Sequence, residues 1–329
     1  MSLSRRSLLA TVSATAAALA LPGIARASAR KLRLGHNNTT SSIFQAQAEA
    51  FAKAVASLSD GRLGIEIYPN SQIGNEQQML KAVVDGTLDL SIAPVGVTNP
   101  YSTETSLFEL PYLFKDVAAA RAALAGSLGA YGSELLKPKR ILNLGWSEVG
   151  MRNFTANKPI RSVADLKGLK IRVPLSQAIL RTFEALGAAP ETLPFVQLQE
   201  ALRTGRFEAQ ENPIGVIVGG GLNKVQTHLS LTRHVYTPSL LALSADVAEE
   251  MAASDLELLR RAAKAGTAAS QAYTENADRS GLASLRDGGM VIVEDVDHAG
   301  FQAAAAAATD ALAASFGSES LRKIRGLVS

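Results

Sequence analysis

One order of elements occurs twice in this chain, and any fold has to accommodate both copies. In the first copy Leu32 and Leu34 alternate ahead of a polar turn, His36-Asn37-Asn38-Thr39-Thr40. Phe44, Ala48, Phe51, Val55 and Leu58 then recur at spacings of three and four, which predicts an amphipathic helix. Asp60-Gly61 turns the chain into Leu63 to Tyr68, a period-two strand. A helix from Glu76 to Asp85 stops at Gly86, a left-handed cap, and Leu88 to Ala93 is a short buried strand. In the second copy Leu169 to Pro174 is a strand, and Leu175, Ile179, Phe183 and Leu186 form a helical stripe. Leu193-Pro194-Phe195 leads into a helix over Gln197 to Thr204 that Gly205 stops. The ends of the copies align without a gap at an offset of 119: Gly86-Thr87-Leu88-Asp89 on Gly205-Arg206-Phe207-Glu208, and Pro94, Gly96 and Val97 on Pro213, Gly215 and Val216. Strands alternating with helices predict an α/β fold with a mixed, mostly parallel sheet in each unit. Two similar units with no heptad or solenoid period predict two lobes facing a cleft, where small ligands usually bind.

A length of 329 residues suits two ordinary domains. After the second copy, Asp255 to Asp287 is rich in Ala and Leu and free of proline, which predicts one or two long helices. Gly288-Gly289 ends it, Met290 to Val293 is a short strand, and His298 to Ala314 is a further Ala-rich helix.

The N-terminus reads as an address. Arg5-Arg6 precedes an apolar run, Leu8 to Leu21, of 14 residues, whereas a membrane-spanning helix needs roughly 20. Pro22-Gly23 and Ala25-Arg26-Ala27-Ser28-Ala29 follow, so residues 1–27 have the form of an export signal cleaved after Ala27 or Ala29. Ser4-Arg5-Arg6-Ser7-Leu8-Leu9 also resembles a twin-arginine signal. The 33 Lys and Arg exceed the 30 Asp and Glu only through Arg5, Arg6 and Arg26, so the chain beyond residue 27 is formally neutral. That balance argues against a bulk basic footprint for nucleic acid.

The chemistry absent from the sequence narrows the function. With no cysteine, disulfides, thiolate nucleophiles and Cys-based metal sites are excluded. His36, His228, His234 and His298 show no metal-binding spacing. No P-loop, GxGxxG, GxSxG or SxxK motif stands in a convincing context, and Gly219-Gly220-Gly221 is followed by Leu222-Asn223-Lys224 rather than a phosphate-binding Lys-Ser/Thr. Glu208 and Glu211 would face opposite sides of a strand, a poor arrangement for a catalytic carboxylate pair. No cofactor, metal or enzymatic mechanism is expected. What remains is a set of polar groups at strand ends. Arg172 ends the first strand of the second unit, where its guanidinium could hold a ligand carboxylate in bidentate fashion; Arg152 is a second such arginine. Asn212 sits where a strand gives way to a helix, and His36 and Asn37 follow the first strand. Spacing alone leaves surface or structural salt bridging open for either arginine.

Several segments resemble the solute-binding proteins of TRAP transporters, the DctP-like family. They are Tyr68-Pro69-Asn70-Ser71-Gln72-Ile73-Gly74, Leu110-Pro111-Tyr112-Leu113-Phe114, Asp165 through Pro174 (DLKGLKIRVP), Leu193-Pro194-Phe195 and Gln210-Glu211-Asn212-Pro213, continued by Val225-Gln226 and Leu231-Thr232-Arg233-His234. The likeness runs from Leu32 to Phe301. It implies a periplasmic, monomeric, non-enzymatic protein of two type II-like lobes with a long helix lying across both. The lobes would be residues 30–149 plus 238–277, and 150–237 plus 278–329. It implies capture of a small organic acid and delivery to TRAP permease membrane subunits. The site it implies has Arg172 on the ligand carboxylate and Arg152 assisting. Asn212, Phe195, His36 and Asn37 would line it, with Trp146 and Tyr236 as further cleft candidates. The chain departs from the family's pattern in having Glu208-Ala209 for Asp-Gly, the glycines 219–221 in place of bulky residues, and Pro94-Val95 where sialic-acid-binding relatives have an acid. A sialic acid is therefore not the expected ligand, while dicarboxylates, hydroxy or keto acids and uronates stay open. A periplasmic enzyme acting on an acidic metabolite, and a binding protein of an ABC transporter or sensor, are the rival readings.

Overall fold

The computed structural model describes residues 30–328; the expected export signal lies outside them. Among the described residues, nine strands form one continuous sheet. The first unit supplies β1 (Arg30–Gly35), β2 (Leu63–Tyr68) and β3 (Leu90–Pro94), paired in parallel. The second supplies β5 (Lys170–Val173), β6 (Ala189–Thr192) and β7 (Ala209–Pro213), also parallel. The 119-residue offset holds at both ends of β3 and β7. Between the units run two long antiparallel strands, β4 (Ile141–Ala156) and β8 (His228–Ser244). The first half of β4 pairs with the end of β8, whose other side pairs with β3; the last residues of β4, Arg152 to Ala156, pair with β7. β9 (Val291–Val293) pairs with the start of β8. The two lobes thus share both central strands. Their crossing is irregular: the β4–β8 register shifts between Asn143 and Trp146, between Glu148 and Gly150, and between Arg152 and Phe154. Gly150 has φ +121°, a backbone conformation that favours glycine.

Helices cover both faces. Phe44, Ala48, Phe51 and Val55 on Ile43–Leu58 are buried against Leu32, Leu34 and Ile92 of the sheet, as the three-and-four spacing predicts. The Ser42 side chain caps this helix by accepting from Gln45 N. Ser176 caps Gln177–Ala185 in the same way, accepting from Ile179 N, and so fixes the turn that follows β5. The long helix is Ala253–Asn276, continued by a π turn over Ala277–Gly281 and a last helical segment, Leu282–Asp287. A Cβ on Gly266 would lie 3.0 Å from Gln47 O, so a glycine is what lets the helix settle against Ile43–Leu58. At the other end of the helix Tyr273 Oη donates to Ser41 O at 2.8 Å and Gly215 O at 3.4 Å, touching both lobes.

The C-terminal run forms two helices where one was expected. The Ala-rich run breaks at Ala308 into His298–Ala307 and Thr309–Phe316. Leu312, with Leu321 and Ile324 of Ser318–Gly326, joins a core formed by Val95, Phe108, Leu124 and Leu128. Ser318–Gly326 packs against Thr103–Glu109 of the first unit, while Thr309–Phe316 also lies against Gln177–Ala185 of the second. A sequence shows that such helices have an apolar face, but not which lobe receives it.

Candidate functional site

The turns that follow β1, β3, β5 and β7 meet across a narrow cavity between the lobes. Asn37 and Asn38 follow β1, Gly96 follows β3, Ser176 follows β5, and Asn212 lies on β7; Glu76, Glu109, Arg152, Arg172 and Phe195 complete its polar wall and rim. The space left among these side chains is about 30 Å³, room for a water or two. The lobes touch here. Phe195 N donates to Glu76 Oε1 at 3.1 Å, and these two residues are themselves 119 positions apart. Thr39 Oγ1 donates to Gly219 O at 3.2 Å. A Cβ on Gly96 would come within 2.6 Å of Ser176 Cβ in the opposite lobe.

Arg172 is 1% exposed, and the residue at the end of β5 is here a buried cation. Its Nε and Nη2 donate to Leu193 O at 2.9 and 2.6 Å. Among the described residues it has no carboxylate in direct ion-pair contact, although the Glu76 charge is felt nearby. Burial pushes its pKa down to about 10, with Arg152 adding to the fall and Glu76 and Glu211 opposing it. The group thus stays charged at neutral pH while lacking a contacting counter-ion, a costly arrangement for a dry site.

Arg152 is in the opposite condition. Its Nε and Nη2 grip the Glu211 carboxylate, and Nη2 also donates to Glu211 O at 2.6 Å and Asn212 Oδ1 at 3.2 Å. Nη1 donates to Thr237 Oγ1 at 3.3 Å, and Thr237 donates in turn to Glu109 Oε1 at 2.8 Å. His234 Nε2 lies 3.2 Å from Glu211 Oε2, its ring stacked on Phe154 with centroids 4.6 Å apart. Burial alone would raise the Glu211 carboxyl, but Arg152 and His234 together hold it below the usual range. Burial raises the Glu109 carboxyl, and the Arg152 charge only partly opposes the rise. Arg152 is therefore the centre of a buried network with its own carboxylate, and Asn212 is held in place by it.

Of the residues named from the sequence, Arg172, Arg152, Asn212, Phe195 and Asn37 line the cavity. His36 lies just behind it: its ring is wholly buried, edge-on to Phe44, with Nε2 3.0 Å from Gln45 Oε1. Trp146 and Tyr236 stand elsewhere, in a hollow between the long helix and Val117–Ala125. Trp146 Nε1 donates to Gly129 O at 2.7 Å, and Tyr236 Oη donates to Glu148 Oε2 at 2.7 Å, where Arg121 also binds. Both aromatics thus spend their polar handles on structural bonds outside the cleft. Glu76, Glu109 and Ser176 were not singled out from the sequence; only the position of Glu109 directly before Leu110-Pro111-Tyr112 hints at it. Among the described residues, no cluster of His, Asp and Glu is placed to hold a metal ion, and no helix is long and apolar enough to cross a membrane.

Two α/β lobes on shared central strands, closing over buried charge, have the build of a solute-binding protein. Residues 34–315 match the family described as bacterial extracellular solute-binding protein, family 7 (DctP). A solute-binding protein of Verminephrobacter eiseniae is 32% identical over 278 residues, 84% of this chain and 83% of that protein. A TRAP periplasmic solute-binding protein from Bordetella bronchispeptica, with density assigned to pantoate, superposes with a TM-score of 0.86 at 33% identity, covering 90% of this chain and 98% of that one. Its counterpart from Polaromonas sp. JS666, bound to D-erythronate, superposes with a TM-score of 0.86 at 31% identity over the same shares. The chain belongs to the DctP family of TRAP-transporter solute-binding proteins.

Proposed function

We propose that this protein captures a small organic acid in the periplasm, holds it by its carboxylate on Arg172, and presents it unchanged to TRAP permease membrane subunits. The single observation that carries the site assignment is the buried Arg172 guanidinium, charged and facing the cavity with no carboxylate in contact. An acid's carboxylate supplies the missing counter-charge in the fork geometry that a guanidinium favours. Asn212, Asn37 and Phe195 frame the acid, while Arg152 acts from behind by fixing Asn212. The pantoate and D-erythronate carried by the two superposed relatives are both acids, which supports this reading. A cavity of about 30 Å³ has no room for such a molecule, so loading involves parting the lobes at the β4–β8 crossing and closing them again.

The test is native mass spectrometry of the purified protein followed by denaturation and identification of any released acid, then titration of that acid into Arg172→Ala and Arg172→Lys. Truncating one partner of such a pair costs about 2–5 kcal/mol, roughly 30- to several-thousand-fold in affinity, and Lys fails to restore it because the fork is lost. Binding by both variants within about threefold of the parent overturns the assignment. Prolonged incubation of the acid with stoichiometric protein should return it unaltered; a new product would favour the enzyme. Intact mass of periplasmic protein should show the chain starting after Ala27 or Ala29.

A further inference from the structure

Resting on that reading of Arg172, we infer that the acid is a polyhydroxylated monocarboxylate and that the cavity discriminates against dicarboxylates. Alongside the arginines, the cavity is lined by hydrogen-bond acceptors that have an oxygen without a donor. Glu76 is 2% exposed and Glu109 1%. Each uses one carboxylate oxygen within the protein: Glu76 Oε1 accepts from Phe195 N and Glu109 Oε1 from Thr237 Oγ1. In each the other oxygen, Oε2, is buried and completes no hydrogen bond, and Asn37 Oδ1 is in the same condition. All three residues line the cavity. The Ser176 hydroxyl, beside Glu109 Oε2, accepts from Ile179 N and keeps its own proton to donate, so it can serve this carboxyl in part, whereas Glu76 Oε2 has no such neighbour to call on.

Buried polar atoms left unpaired are costly, and a ligand that pairs them gains what an ordinary surface site cannot offer. Donors are what two of these atoms require of the ligand, and hydroxyl groups supply them. A hydroxyl also serves whether or not Glu109 carries a proton, because it can accept as well as donate. Asn37 can turn its carboxamide to meet a hydroxyl with either end. A second carboxylate supplies no donor at neutral pH. It would enter a confined space already lined by the Glu76 and Glu109 carboxyl groups, with Arg152 committed to Glu211. An acid with neither hydroxyls nor a second carboxylate would leave the acceptors unpaired while displacing the water that can serve them. The same wall therefore disfavours both alternatives: a second carboxylate brings only further acceptors, and an acid without hydroxyls leaves the existing ones unpaired.

Calorimetric titration with three probes of equal carbon number separates these cases: D-erythronate, butyrate and succinate. We expect D-erythronate to bind about 100-fold more tightly than either of the others, the effect of two or so lost hydrogen bonds or of one unpaired charge. Glu76→Gln and Glu109→Gln, each checked by thermal melt, put an amide donor where an acceptor stood. The double variant should raise the succinate-to-erythronate affinity ratio by about tenfold or more. Comparable binding of succinate and erythronate by the parent protein, or a ratio unmoved in the double variant, overturns the inference. Arg172→Ala tells which reading has failed. If succinate binds tightly and Arg172→Ala abolishes it, the selectivity is wrong and the carboxylate site stands. If erythronate binds and Arg172→Ala leaves it unaffected, the carboxylate site itself is wrong. Failure of all three probes to bind overturns the inferred selectivity.

Discussion

Arg152 and Arg172 are the same residue type at the same cleft, yet their surroundings give them different work. Arg152 is tied to Glu211, so removing it leaves a buried carboxylate without its partner. Arg152→Ala should cost about 3–5 kcal/mol of stability, read by urea unfolding, with loss of binding following from loss of the fold. Arg172→Ala should instead abolish binding with a far smaller shift in the unfolding midpoint. Glu211 adds a dependence on pH. Burial would raise its carboxyl, but Arg152 and His234 outweigh that and hold it low in the folded chain; unfolded, it titrates near ~4.3. Its contribution to stability is therefore complete above that value and is lost as the pH falls through the lower folded value. Urea unfolding over an acid series should show a shallower decline in Glu211→Gln than in the parent; parallel declines would mean that the pair does not govern acid sensitivity. Spacing alone left each arginine equally open to ligand or salt bridge; the family resemblance ranked Arg172 first and Arg152 second, but did not show that Arg152 is tied to Glu211. A motif reports residue types, whereas the partner of Arg152 comes from a neighbouring strand, β7, 59 positions away.

The strands and helices of the two repeated units were readable because each is a local pattern closed by a local signal. β2, β3, β5 and the helix Glu76–Val84 lie where alternation, apolar spacing and the caps at Gly86 and Gly205 put them. β4 and β8 were not read from pattern. They are buried along most of their length, so they lack the alternation that marks a half-exposed strand, and bulges break their register. Between elements, one close approach of the lobes is at Gly96. A Cβ there would meet Glu109 Oε2 at 2.5 Å and Ser176 Cβ at 2.6 Å. Gly96→Ala should leave the melt of the unliganded protein nearly unchanged, yet hold the lobes apart. Affinity for the native acid should fall by about tenfold or more, and small-angle scattering should show a smaller compaction on adding ligand. Full compaction with unchanged affinity would show that the lobes do not meet at this point.

At the scale of the whole molecule, the two-lobed plan was legible from the 119-residue repeat, but the sharing of strands between lobes was not, since pairing partners far apart leave no local trace. β4 and β8 each belong to both lobes, so neither lobe can lose its sheet while the other keeps its own. Unfolding by urea should therefore be a single transition, even though chains of two domains often show more. Fluorescence of Trp146, the one tryptophan, reports on the first lobe's end of β4 and should lose its signal together with far-ultraviolet circular dichroism. Separate midpoints would show that the lobes melt independently.

The strand that completes the first lobe is β8, and it is also the last of the long strands to be synthesised. While the chain is growing, β2, β1 and β3 can associate, but the outer edge of β3 has no neighbour until Ser244 has left the ribosome. An open edge of that kind recruits other strands unless something covers it. A nascent chain of this design therefore holds that edge open from Pro94 until Ser244, a stretch over which a chaperone would serve it, and the sheets of the two lobes are joined only when one strand pairs with both β3 and β4.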